Sequence, residues 1–335
     1  MPHIGRAISI EAPAKLNLHL QVGDRRPDGF HAIESLFVAL AFGDILHFET
    51  VPQPLSLEIT MHWHENLPVL AIPPEKNIVF RAVSLFRDRT GYDSGLKVTI
   101  EKRIPPGGGM GGGSSDAAAA LLALNRLASP DGCGLDEPDL AEMGTALGSD
   151  VPFFLHEHVS AAWVSGRGEQ IQPLTLPESF GSLSCVLVNP GFPSDTAEAY
   201  RLLDCMRETL TEDTEVHGGH GEENLGFSDI LNHLKTPCPP CPPCLREIPS
   251  WRFSNDFLPV LAASDKGLVY QHIITGLREQ GAEFAGLSGS GSTCFGVFSG
   301  QDRAESAREA LLKRWPFVII TFLLARSTIP CYNRK

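Results

Sequence analysis

The chain has 335 residues, 42% hydrophobic and 20% charged, which excludes a disordered or fibrous protein and leaves room for two domains of ordinary size. A formal net charge of −13 argues against a nucleic-acid binder, whose surface would be basic. The longest apolar run, Phe317 to Ala325, has nine residues against the roughly 20 of a spanning helix, so it reads as a core strand and no membrane partner is expected. The amino terminus shows no secretory h-region and the eight cysteines read as reduced thiols, so a cytoplasmic protein is expected.

In chain order, Lys15-Leu-Asn-Leu-His-Leu-Gln-Val22 alternates strictly, the period of a half-buried strand, with Lys15, Asn17, His19 and Gln21 on one face and the apolar residues on the core side. Asn77, before Ile78-Val-Phe-Arg-Ala82, stands where a helix cap would. Leu96 to Ile104 alternates again and is rich in β-branched residues, a second strand. It runs into Pro105-Pro-Gly-Gly-Gly-Met-Gly-Gly-Gly-Ser-Ser115, six glycines in seven positions followed by the strong helix former Asp116-Ala-Ala-Ala-Ala-Leu-Leu-Ala-Leu-Asn125. Glycines admit positive φ and a close ligand, and the helix start offers unpaired N–H groups and the positive dipole end to an anion. With no Gly-Lys-Ser/Thr ending, the loop is not a P-loop. Gly107, Gly109 and Gly112 satisfy the dinucleotide fingerprint formally, but in a run of glycines that spacing says little, and no convincing βαβ unit surrounds it.

Further on, Asp136 to Leu147 reads as a short capped helix ended by Gly148, and Asp150 stands on the turn before Val151-Pro152. Residues 211–250, rich in Gly, Pro, Glu and His, read as a surface insertion. Its Cys238, Cys241 and Cys244 could offer three of the four ligands of a closed structural zinc site, with His217, His220 or His233 as a fourth, but the insertion reading is preferred. Gly286-Leu-Ser-Gly-Ser-Gly-Ser-Thr293 is a tight turn between a helix ending near Gly281 and a strand to Phe298.

Four segments together resemble the GHMP small-molecule kinases: Ala12–Leu18 with Arg26–His31, the glycine loop, Leu147–Phe153, and Gly286–Thr293. The resemblance implies an α+β fold with an N-terminal ribosomal-protein-S5-like ATP domain, residues 1–165, and a C-terminal ferredoxin-like domain, residues 166–335. It implies ATP as phosphoryl donor, held by Asn77, Lys102, Pro105, Pro106, Gly107, Gly108, Gly109, Met110, Gly111, Gly112, Gly113, Ser114 and Ser115, with Mg²⁺ as counter-ion and no carboxylate assigned to it. Lys102 and Arg103, with Lys15, would supply positive charge in an acidic chain. Asp150 would be the general base, with Lys15 beside it offsetting developing negative charge. The matched branch takes a cytidyl diphosphate acceptor, placed by Asn17, Phe30, His31, Asp150, Thr196, Tyr200, Gly289, Ser290 and Gly291. Phe30 and Tyr200 would sandwich the base, and the His31 ring would donate and accept at its edge. Other GHMP acceptors (mevalonate, homoserine, a sugar) and a nucleotide-binding protein without turnover are the alternatives. A monomer or weak homodimer is expected.

Overall fold

The computed structural model describes residues 5–156, 158–214, 253–324 and 331–333. The Cys238, Cys241 and Cys244 cluster, and the expected insertion beyond residue 214, lie outside the described residues.

Strands β1 (Ala7–Arg25) and β2 (His31–Val51) form a long antiparallel hairpin. β3 (Leu57–Trp63) crosses over through helix α1 (Ile78–Thr90) to β4 (Gly95–Lys102), with which it pairs in parallel. One end of β2 pairs with β4, and its other end pairs with β5 (Ala161–Gly166), which carries β6 (Gln170–Leu174) on its far side. Helices α2 (Gly112–Ala128), α3 (Glu137–Leu147) and α4 (Val151–Leu155) join α1 over one face of this sheet. Ala117 to Ala120 are all buried; their small side chains let α2 lie close on the strands.

The second sheet has the order β10-β7-β9-β8, built from β7 (Ser184–Asn189), β8 (Phe284–Leu287), β9 (Cys294–Phe298) and β10 (Phe317–Phe322), all antiparallel. Helix α5 (Thr196–Thr214) and, after the undescribed stretch, α6 (Phe257–Ala262) and α7 (Gly267–Glu279) lie between β7 and β8, and α8 (Gln301–Leu312) lies between β9 and β10. That is the βαββαβ arrangement of a ferredoxin-like domain. Its helices cover one face through Tyr270, Ile273, Leu277 and Leu311. The other face packs on the first sheet, where Leu16, Leu18, Leu36 and Val38 meet Cys185, Leu187, Phe295 and Val297. The layers therefore run helices, sheet, sheet, helices.

This stacking buries both faces of β1. The alternation correctly separates Lys15 and Asn17 from Leu16 and Leu18, but Lys15 and Asn17 are also buried, only 3% exposed each. An irregularity where Pro13 opposes Gly43 sets their direction. Before it Ile8, Ile10 and Ala12 face the helices; after it Ala14, Leu16 and Leu18 face the second sheet, and Lys15 and Asn17 turn to the helix side. A Cβ on Gly43 would stand 2.2 Å from the Ala12 carbonyl oxygen, so only glycine permits the crossing of the two strands there.

A division at 165/166 falls inside the β5–β6 hairpin, where Ser165 pairs with Gln170. By sheet membership the first unit continues through Leu174 and the second begins at Ser184. β6 is short and carries Pro173, the marks of an edge strand that sequence pattern alone under-reads. The chain then returns to the first sheet through β11 (Cys331–Asn333), paired with β1. Among the described residues no helix is long and apolar enough to cross a membrane.

Candidate active site

The glycine loop is pinned by its carbonyls. Gly107 O accepts from Ser194 N at 2.9 Å, Gly108 O from Thr293 N at 3.1 Å, Gly109 O from Ser288 Oγ at 2.8 Å and Met110 O from Lys15 N at 3.0 Å. With the carbonyls turned into protein, and φ values of 64°, 74° and 71° at Gly107, Gly109 and Gly111, the loop leaves its N–H groups for something else. Gly111 caps α2 without a side-chain acceptor, so the N–H groups of the first turn are open as well. Ser115 Oγ, in that turn, is buried and has no partner among the described residues. A Cβ on Gly109 would meet Ser288 O at 2.1 Å, which fixes glycine there. Gly109, Gly111 and Ser114 line a cleft of about 910 Å³ between the two domains. Pro105, Pro106, Gly107, Gly108, Gly112, Gly113 and Ser115 do not line it, and the Met110 side chain is packed between the sheets.

On the cleft floor Lys15 Nζ lies 3.6 Å from Asp150 Oδ2. Asp150 is the residue before α4, yet its side chain makes no capping bond, so the ordinary role of an aspartate in such a turn is unfilled. Burial lowers the Lys15 pKa from the usual lysine value, and Asp150 opposes that. Lys15 Nζ also donates to Asn17 Oδ1 at 2.5 Å and stands 4.6 Å from the centre of the Phe37 ring. Asn17 Nδ2 donates to Ser35 Oγ at 2.8 Å, and Ser35 in turn donates to the His19 carbonyl at 2.5 Å. Ser35, which has no motif around it, thus fixes the amide so that its oxygen faces the lysine.

Two expected ATP contacts are otherwise engaged. Lys102 Nζ is buried between Asp44 and Asp116, at 2.5 Å from the latter, and so carries no free charge to the phosphates. Burial works against its charge, but Asp116 and Asp44 outweigh it and hold its pKa above the ordinary lysine value. Arg103 pairs with Glu101 at 2.8 Å. Asn77 caps α1, accepting from Val79 N at 2.9 Å, and its neighbour Ile78 rather than Asn77 reaches the cleft. The cations on the cleft walls are Lys15, Arg25, Arg167 and Arg201.

At the other end Phe30 is 52% exposed on the cleft wall, which rules out a core role for it. Tyr200, on α5, stacks on His31 with centroids 5.1 Å apart and sets its edge against Phe257. Burial, with a smaller contribution from Asp150, pushes the Tyr200 hydroxyl up to about 12. The His31 ring does not present a free edge: Nδ1 lies 2.9 Å from the Gly23 carbonyl, to which it must donate, and Nε2 lies 3.3 Å from Asp204 Oδ1. Expected as a reader of the base edge, the ring is instead the platform beneath Tyr200. Thr196 Oγ1 lies 2.8 Å from Ser290 Oγ, and Gly289 and Ser290 line the cleft while Gly291 does not. Asn255 Nδ2 donates to both Leu287 O and Gly289 O at 2.8 Å, holding this turn from behind.

Residues 77–158 match the GHMP kinases N terminal domain family and residues 268–316 the GHMP kinases C terminal family. The 4-diphosphocytidyl-2-C-methyl-D-erythritol kinase of Treponema pallidum (strain Nichols) is 35% identical over 319 residues, 92% of this chain and 96% of that protein. The corresponding kinase of Thermodesulfovibrio yellowstonii is 33% identical over 94% of this chain and 98% of its own length. The chain belongs to the 4-diphosphocytidyl-2-C-methyl-D-erythritol kinase family. A crystal structure of 4-(cytidine 5'-diphospho)-2C-methyl-D-erythritol kinase superposes with a TM-score of 0.69 at 31% identity, over 94% of this chain and 98% of that one. A homoserine kinase from Cytophaga hutchinsonii, with a TM-score of 0.63 and 17% identity over 97% of this chain and 96% of that one, shares the fold.

The two GHMP matches take in the glycine loop, Asp150 and the Gly286–Thr293 turn. Lys15, Phe30, His31 and Tyr200 fall outside both. Asp204 and Arg207 escaped the sequence reading. Their signal is helical spacing: with Tyr200 they repeat along one face of α5, where Arg207 donates to Val22 O at 2.5 Å and to Gly23 O at 3.1 Å.

Proposed function

We propose that the chain transfers the γ-phosphoryl group of ATP to the 2-hydroxyl of 4-diphosphocytidyl-2-C-methyl-D-erythritol, a step toward isoprenoid precursors in the non-mevalonate pathway. The observation that carries the reading is the Lys15–Asp150 pair on the cleft floor, with the glycine loop on one side of it and exposed Phe30 and stacked Tyr200 on the other. The donor's phosphates would lie against the N–H groups of the loop and of the first turn of α2. Phosphoryl transfer needs mostly positioning and charge stabilisation. Asp150 accepts the proton of the 2-hydroxyl as its oxygen bonds to the γ-phosphorus and the bond to the ADP oxygen breaks. Lys15, charged beside Asp150, offsets the negative charge that develops on the transferring group.

Among the described residues no group of three His, Cys, Asp or Glu side chains is arranged to hold a metal. Mg²⁺ would then be carried on the nucleotide phosphates rather than by a cluster of protein side chains. When bound, Mg²⁺ would neutralise phosphate charge. Phe30 and Tyr200 would hold the cytosine, each stack worth about 1 to 3 kcal/mol in comparable systems. A monomer or weak homodimer working in the cytoplasm is part of this proposal.

The test is ADP release with MgATP and four acceptors: the cytidyl compound, the same erythritol phosphate without its cytidyl group, mevalonate and homoserine. Turnover with the cytidyl compound alone is expected. Turnover only with another acceptor would overturn the roles of Phe30 and Tyr200 while sparing the donor site.

A further inference from the structure

Arg167 sits at the tip of the β5–β6 hairpin, between Gly166 and Gly168, both in the left-handed region at φ 73° and 113°. The register of β5 on β2, with Gly166 opposite Ile33, carries this tip to the residues just ahead of β2. There the Arg167 guanidinium lies over the Phe30 ring, its Cζ 3.8 Å from the ring centre. The tip is held: Arg167 N donates to Glu169 Oε2 at 2.6 Å, and Gly168 is so close to Ser149 that a Cβ would stand 3.0 Å from the serine's own Cβ. Ser149 precedes the catalytic Asp150, so one hairpin touches both the reacting end and the base-holding end of the cleft.

No carboxylate pairs with the Arg167 side chain among the described residues, whereas Arg201 on the same cleft is tied to Glu198 by two bonds at 2.7 and 2.5 Å. A guanidinium is planar: its face stacks on a ring while the N–H groups on its edge remain free to donate. We infer that Arg167 is a specificity residue for the acceptor, holding Phe30 in place with its face and taking the acceptor's diphosphate with its edge. The inference rests on the acceptor proposed above. It explains how a half-exposed phenylalanine on a turn serves as a fixed wall, and where a chain with net charge −13 finds a cation for a second phosphate-bearing ligand.

The test uses the full chain with Arg167→Ala and Arg167→Lys. Arg167→Ala should raise KM for the cytidyl acceptor and the dissociation constant for CDP, measured calorimetrically, by about 10-fold or more, with KM for ATP moving less than about twofold. Arg167→Lys keeps the charge but not the plane and should recover only part of that loss. An unchanged acceptor KM and CDP affinity in an Arg167→Ala enzyme whose wild type turns over would overturn the inference alone. So would an equal loss for ATP and acceptor, which marks a disturbed cleft. A wild type that neither turns over the cytidyl compound nor binds CDP would overturn the proposed function and this inference with it.

Discussion

The proposed donor and acceptor ends of the cleft are built from different materials. Around the glycine loop the working groups are backbone: four successive carbonyls are tied to Ser194, Thr293, Ser288 and Lys15, and the side chains nearby are absent or packed away. Around Phe30 the working groups are side chains held by one another, Arg167 on Phe30 and Tyr200 on His31. A backbone site binds whatever carries phosphates and is broken by an added Cβ. A side-chain site selects one acceptor and is broken by truncation.

The proposed reacting groups, Lys15 and Asp150, lie between the two, and the largest effect is expected there. Asp150→Asn removes the proposed base but keeps the shape, so kcat should fall by at least about 10²- to 10⁴-fold, with ATP affinity nearly intact by calorimetry. Equal activity in the variant would show that the loop and Lys15 alone drive transfer, and would remove Asp150 from the mechanism.

Gly109→Ala breaks the donor end specifically. The new Cβ would collide with the Ser288 carbonyl at 2.1 Å, in a backbone at φ 74° that an L side chain resists. The loop or the Gly286–Thr293 turn must move, costing on the order of 1 to 3 kcal/mol. KM for ATP should rise well beyond tenfold, with melting temperature reduced. A variant with normal ATP kinetics would mean that the loop does not carry the phosphates.

Phe30→Ala is the matching lesion at the acceptor end. KM for the cytidyl acceptor should rise roughly 5- to 150-fold, the equivalent of about 1 to 3 kcal/mol for one stack, while KM for ATP stays put. Because Phe30 is exposed, its truncation should leave thermal stability nearly unchanged. Steady-state kinetics on both substrates would check the split, and a shift in ATP KM alone would reverse the assignment of the two ends.

The contrast also explains what could be read from the sequence. A backbone site leaves a compositional trace, so the strand, glycine run and helix start were visible before any coordinates. The alternation of Lys15 to Val22 gave the two faces of β1, but not that both would be covered, because the second sheet arrives from residues far along the chain. Side-chain partnerships across long separations leave no such trace. Nothing local shows that Lys102 is taken by Asp44, that the His31 ring is taken by Gly23 and Asp204, or that Arg167 comes to rest on Phe30.

The Lys102 site offers the smallest and most selective prediction, since it supports the donor end from below without touching the cleft. Two buried carboxylates share one buried ammonium. Asp44 Oδ1 accepts from the N–H groups of Arg103 and Ile104 while Asp44 Oδ2 accepts from Lys102, whereas Asp116 Oδ1 has no partner among the described residues. Burial pushes the Asp116 carboxyl up to about 8, against the pull of Lys102 and with the Asp44 charge adding to the rise. The folded protein therefore keeps a proton that the unfolded chain releases above about pH 4. More protons bound in the folded state means that stability falls as pH climbs from about 4 to about 8, and the loss is complete above that. Asparagine mimics the protonated acid and cannot ionise. Asp116→Asn should match the wild type near pH 4 and become the more stable of the two toward pH 8, by at least on the order of 1 kcal/mol, seen as a melting-temperature gap that widens with pH. Acceptor KM should be unaffected throughout, because no atom of this site reaches the acceptor wall. A gap independent of pH would place the proton elsewhere, and a change in acceptor KM would mean that the two ends of the cleft are coupled through the base of α2.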